Sequence, residues 1–88
     1  MYNFTIAQTR EFEKSIKKLD AKIYTKIKNI VYPQLRKNPF FGPNIKKLKG
    51  EYEGVYRYRL GNYRLFYIIE NKKVIVIVTS ISHRKDAY

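Results

Sequence analysis

The 88-residue chain contains no cysteine and a single histidine. Without cysteine there is neither a disulfide framework nor a thiolate metal site. One histidine excludes a dedicated zinc centre built from His and Cys, and no metal or cofactor is expected. Acidic residues are scarce: seven Asp and Glu stand against 19 Lys and Arg, for a formal charge of +12. Long apolar runs are missing too. The longest, Val74–Val78, falls far short of the ~20 residues a membrane-spanning helix needs. The opening MYNFTIAQTREF has no sustained apolar segment of the secretory kind. A soluble, cytoplasmic protein with no membrane partner is therefore expected. No repeat, linker or low-complexity stretch divides the chain, and its length suits one modest core, so residues 1–88 are expected to form a single domain.

What the chain has in excess is positive charge. A pI near 10 favours a polyanionic partner, nucleic acid above all, although an acidic protein satisfies the same charge. The charge does not localise a site by itself. Residues 1–45 carry nine basic and three acidic groups and residues 46–88 carry ten and four, so each half is +6.

The hydrophobic pattern changes period along the chain. Residues 2–7 alternate, with Tyr2, Phe4 and Ile6 on one side, which predicts a short strand. From Thr9 the spacing turns helical: Phe12, Ile16 and Leu19 recur on one face. Asp20 is placed to cap a second helix from Ala21, with Ile23, Ile27, Ile30, Val31 and Leu35 as its stripe. Pro33 predicts a kink or early end there. The Pro- and Gly-rich segment 37–44 is a loop, and turn signals follow at Gly50 and Gly54. Three strands are expected at 55–60, 63–70 and 73–82, joined by two-residue turns at Gly61-Asn62 and Asn71-Lys72. The last strand is apolar on both faces, which predicts a central position covered on both sides. The expected fold class is α+β: an N-terminal strand, an antiparallel helix hairpin, then a three-stranded antiparallel meander, with the helices on one sheet face.

Strand alternation then assigns faces. Tyr56, Tyr58 and Leu60 share one side of their strand, and Arg57 and Arg59 share the other. Arg64 follows the first hairpin turn and falls near Arg59. The closing SHRKDAY adds His83, Arg84, Lys85 and Tyr88. Taken singly, each arginine is more simply a solvated strand residue, and His83 or Tyr88 a surface or packing residue. Together they repel one another unless an anion fills the cluster. Arginine suits phosphate because its planar fork donates in pairs and stays charged, and a tyrosine offers a face on which an unpaired base stacks.

The segments IKKLKG, YRYRLGNYRLFYII and SISHRKDAY resemble the RelE/ParE superfamily of toxins from type II toxin–antitoxin modules, and the resemblance covers essentially the whole chain. In motif it is nearest the RelE-like branch. Those toxins cleave mRNA in the ribosomal A site by attack of the RNA 2′-hydroxyl on the adjacent phosphate, leaving a 2′,3′-cyclic phosphate. The resemblance implies a ribosome-dependent, metal-independent endoribonuclease. Its partners would be the ribosome, mRNA and an acidic antitoxin encoded adjacently, bound in a hetero-oligomer. It places Arg57 and Arg59 where that branch has strand lysines, and Arg64 where an arginine binds and polarises the phosphate. It gives Arg84 the role of proton donor to the leaving oxygen, and Tyr88 that of base-stacking wall. Lys46, Lys47, Lys49 and Lys85 would add RNA contacts. The paired lysines are arginines in this chain, and arginine is a poor general base; His83 is the side chain whose ordinary pKa suits that role. Arg59, Arg64, His83, Arg84 and Tyr88 are thus the candidate catalytic set. Two other readings stay open on the same fold: a ParE-like inhibitor of DNA gyrase, and an RNA- or ribosome-binding protein with weak catalysis.

Overall fold

The computed structural model describes residues 3–83. Strand β1 (Thr5–Gln8) leads into helix α1 (Arg10–Lys17), and a short connection leads into α2 (Ala21–Lys26). A wide helical turn, Ile27–Val31, joins α2 to α3 (Tyr32–Lys37). Strands β2 (Ile45–Lys47), β3 (Tyr56–Leu60), β4 (Tyr63–Glu70) and β5 (Ile75–His83) complete the chain. The five strands form one sheet in the order β1-β5-β4-β3-β2, with β1 parallel to β5 and every other pair antiparallel. The α+β class and the order of helices and meander agree with the sequence pattern.

Side-chain caps set the helix starts. The Thr9 hydroxyl accepts from the Phe12 amide at 3.1 Å and donates to the Thr79 carbonyl at 3.0 Å, so one side chain begins α1 and ties it to β5. The Asp20 carboxylate accepts from the Lys22 amide at 2.9 Å and begins α2. Phe12 and Ile16 from α1, Ile27 and Val31 from the wide turn, and Tyr32 and Leu35 from α3 are buried. They pack on the face of the sheet that presents Tyr58, Leu65, Tyr67, Val76, Val78 and Ile81. Burying each large apolar side chain contributes on the order of 1.5–3 kcal/mol.

The interruption expected at Pro33 is present, since the regular α-helix gives way to the wide turn before the helix runs on to Lys37. The turn before it widens, with the Tyr32 amide reaching back five residues to the Ile27 carbonyl, and that spreads the backbone the proline ring would otherwise strike. Three other expectations need correction. Ile45–Lys47, read only as the lead-in to the turn signals at Gly50 and Gly54, is an edge strand on β3; three residues are too few to display a period. The β4–β5 connection is a three-residue turn, Asn71–Lys73, followed by Val74 in the left-handed region at φ 56°. A β-branched residue is strained there, and the Val74 carbonyl accepting from the Thr5 amide at 2.9 Å helps hold it. Finally, β5 lies inside the sheet, but it is covered on one face. Among the described residues no α-helix lies on the other side, where Ile68, Ile75 and Ile77 are half-buried.

One irregularity decides where the polar groups fall. Phe66 pairs with Ser80 but Tyr67 pairs with Val78, so Thr79 is an extra residue, a bulge. Its hydroxyl donates to the Phe66 carbonyl at 3.2 Å. Beyond it the pleat of β5 is inverted: Val76 and Val78 face the helices before the bulge, Ile81 and His83 after it.

Candidate nucleic-acid interface

The open face of the sheet carries two cross-strand rows. Arg59 lies directly opposite Arg64, and Arg64 opposite Ser82. The next row runs Lys46, Arg57, Phe66, Ser80 across four strands. Directly paired residues share a face, as do residues two apart along a strand, so Arg57, Arg59 and Arg64 project from the same side. Like charges directly opposite one another are destabilising. A bound anion between Arg59 and Arg64 would offset that repulsion.

The three arginines differ in setting. Arg59 is exposed and Arg57 half-buried, whereas Arg64 is only 8% exposed. One nitrogen of the Arg64 guanidinium donates to the Gly61 carbonyl at 3.0 Å and to the Tyr63 carbonyl at 3.1 Å. Gly61 sits at φ 58°, so the two-residue turn exists in a conformation that glycine adopts without strain, and its carbonyl is presented to the arginine. The buried cation is thereby fixed against the hairpin rather than left to sample solvent.

Beside Arg57 the open face deepens into a groove of about 670 Å³. Leu48, Val55 and Phe66, all half-buried, give it an apolar base. Lys46, Lys47 and Lys49 are exposed along it with Arg57, and among the described residues no Asp or Glu lines it. Tyr52, 59% exposed, stands at its edge. Among the described residues no three of His, Cys, Asp or Glu gather where a metal ion could be held.

The candidate residues therefore divide. Arg57, Arg59 and Arg64 come together on one face, and Lys46, Lys47 and Lys49 border the adjoining groove. His83 does not join them. It pairs with Tyr63, whose alternation places it with Leu65 on the helix side, and the two rings meet edge-on at 5.2 Å. The Thr79 bulge is the cause, because it shifts the register by one residue, bringing Ser82 rather than Ile81 opposite Arg64 and turning His83 to the helix side. Arg84, Lys85 and Tyr88 lie outside the described residues, as does Tyr2.

Phe66 and Tyr52 were not singled out from the sequence. Phe66 was within reach of the same reasoning, since it lies two residues after Arg64 and so shares its face. Nothing in the sequence pairs Tyr52 with the groove. A second polar cluster was also missed. Gln8 accepts from the Tyr24 and Tyr32 hydroxyls at 3.1 and 2.7 Å and donates to Glu13 at 3.4 Å, while Lys28 lies 4.6 Å from the Tyr24 ring centre. Burial raises the Tyr32 phenol above its usual range, with Tyr24 adding to the shift. These contacts tie β1 to the helices.

Comparison with known proteins follows the same lines. The family model for the ParE toxin of type II toxin–antitoxin systems matches residues 6–88. Toxin RelG of Mycobacterium tuberculosis is 27% identical over 85 residues, which are 97% of this chain and 95% of that protein. The fold is similar to the toxin–antitoxin complex RelBE2 of the same organism, with a TM-score of 0.83 at 26% identity over 93% of this chain and 99% of that one. It is also similar to the RelB–RelE antitoxin–toxin complex of Methanococcus jannaschii, with a TM-score of 0.74 at 30% identity over 93% of this chain and 94% of that one.

Proposed function

The chain belongs to the ParE toxin family of type II toxin–antitoxin systems, within the RelE/ParE superfamily, and we propose that it is a cytoplasmic, ribosome-dependent endoribonuclease that cuts mRNA in the A site. The observation that carries this reading is the cluster of Arg57, Arg59 and Arg64 on the sheet face opposite the helices, with Arg64 buried and anchored to two carbonyls. A fixed cation is already oriented when charge develops, which is the most effective form of electrostatic catalysis.

The reaction is a transesterification. The RNA 2′-oxygen bonds to phosphorus as its proton leaves, the bond from phosphorus to the 5′-oxygen breaks, and that oxygen takes up a proton. The products are a 2′,3′-cyclic phosphate and a 5′-hydroxyl. In this scheme Arg64 and Arg59 hold the non-bridging oxygens and offset the extra negative charge of the transition state, and Arg57 binds the next phosphate. Arginine stays protonated throughout and serves as binder, not base. Arg84 as donor to the leaving oxygen and Tyr88 as stacking wall complete the scheme on the strength of the resemblance. His83, on the other pleat, is not the base in this account; the proton leaves to solvent or to a ribosomal group.

An acidic antitoxin is the proposed protein partner, since the relatives' structures are toxin–antitoxin complexes and a +12 chain suits an acidic, amphipathic segment. The family model's own name favours a second reading, a ParE-like protein acting on gyrase. Primer extension on an mRNA under cell-free translation separates the two. New 5′ ends in register with codons, reduced about 10²–10³-fold in Arg64→Ala and absent without ribosomes, are expected. Intact mRNA at concentrations that arrest growth, with loss of supercoiling activity, would favour the gyrase reading.

A further inference from the structure

The groove beside Arg57 has no role in the bond-breaking step. Its cations are continuous with the arginine cluster, because Arg57 belongs to both. Arg57 stands two residues along β3 from Arg59, about 7 Å, which is the reach of one extended nucleotide. A strand held at Arg59 and Arg64 and followed by one nucleotide thus enters the groove. There it meets a surface unlike the arginine row: apolar at Leu48, Val55 and Phe66, edged by Lys46, Lys47 and Lys49, with no carboxylate among the described residues that line it. Its volume of about 670 Å³ lies within the ~300–1,000 Å³ typical of small-ligand sites.

A groove that bound the RNA backbone alone would need the cations but not the apolar base. A half-buried phenylalanine flanked by phosphate-binding side chains is the arrangement that holds an unpaired base, with the ring against the base and the cations on the backbone. Resting on the RNA-cutting reading above, we propose that this groove is a nucleobase subsite. In it the base neighbouring the cut stacks on Phe66, while Lys46 and Arg57 hold its phosphate. The subsite makes the protein sensitive to the presence and kind of base beside the cleaved bond. Stacking strength, not hydrogen-bond pattern, sets that preference, so purines are favoured over pyrimidines.

Fluorescence anisotropy with a labelled hexameric oligoadenylate and a hexamer of the same charge made of abasic ribose units tests this on the whole protein. The wild type is expected to bind the base-bearing oligomer about tenfold more tightly or better. Phe66→Leu, which keeps an apolar side chain but removes the ring, is expected to lose most of that margin and leave the abasic oligomer unchanged. Lys46→Ala should weaken both and lower the salt slope by about one. Equal wild-type affinity for the two oligomers, a comparison independent of how any variant folds, overturns the subsite. So does an oligoglutamate of the same charge that displaces the RNA and loses affinity equally in Phe66→Leu, for the groove is then a protein-docking surface. Base-selective binding without ribosomal cleavage would leave the subsite standing and overturn the nuclease reading. Cleavage with base-blind binding would do the reverse.

Discussion

The hydroxyl of Tyr67 offers a test of how the fold is held around the interface. Tyr67 is fully buried on the helix side of β4, and its hydroxyl donates to the Pro39 carbonyl at 2.7 Å, with Pro39 itself buried. That bond pins the loop after α3 to the sheet. The loop's Phe40 continues an aromatic series, with ring centres 5.9 Å from Phe4 and 6.1 Å from Tyr56, and Tyr56 stacks on Tyr67 at 5.6 Å. Tyr67→Phe keeps every ring contact and leaves the buried carbonyl without this donor. The expected cost is about 1–3 kcal/mol, and each kcal/mol lowers Tm by about 4–8 °C in a domain of this size. Tyr58→Phe is the control. Its hydroxyl donates at 2.8 Å to the side chain of Gln34, an exposed residue to which water has access, so about 0.5–1 kcal/mol is expected. Burial, reinforced by Tyr56 and Tyr58, also raises the Tyr67 phenol above its usual value near 10. The folded state thus favours the neutral phenol. That contribution is complete below pH ~10 and is lost as pH rises from there toward the folded-state value. The advantage of wild type over Tyr67→Phe should therefore be constant at neutral pH and shrink above pH ~10. Thermal melts of the three proteins at pH 7 and at several alkaline values read both effects. Equal shifts for the two variants, or a gap between wild type and Tyr67→Phe that widens with pH, would refute the reasoning.

Two further outcomes follow from single contacts. Thr9→Ala removes the α1 cap and the tie to the Thr79 carbonyl together, and should destabilise by about 1–2 kcal/mol in urea titration, whereas Thr9→Ser should recover most of the loss. His83→Gln should keep ribosome-dependent cleavage within a few-fold of wild type, with no change in the pH profile of cleavage between about 5.5 and 8; a large loss together with a lost pH step would return His83 to the role of base.

The part of the interface legible in the sequence is the part built on regular alternation. In YRYRL and the start of YRLFYIIE every second residue keeps its face, so alternation alone brings Arg57, Arg59 and Arg64 together, and the Gly61-Asn62 turn fixes the register that joins them. The misplacement of His83 has one cause. Thr79 adds a residue to β5, and nothing in VIVIVTSIS distinguishes a bulged strand from a straight one. Strand β2 escaped notice because three residues carry no period, and with it went the position of Lys46 opposite Arg57. The helix continues past Pro33 because a wide turn takes up the clash, an adjustment that propensity does not foresee. The same alternation put Tyr56 and Tyr58 on the side away from the arginines, and the stacking of Tyr56 on Tyr67 and the burial of Tyr58 agree.

The central claim is that RNA itself supplies the nucleophile while fixed arginines stabilise the charge. The most direct measurement uses ribosomes programmed with an mRNA carrying a single 2′-deoxynucleotide at the cleaved position of the A-site codon, beside the all-ribose mRNA. The account predicts cleavage of the ribose message to a 2′,3′-cyclic phosphate and a 5′-hydroxyl, and none at the deoxy position. Equal cleavage of both messages, or a 3′-hydroxyl and 5′-phosphate at the new ends, would contradict it.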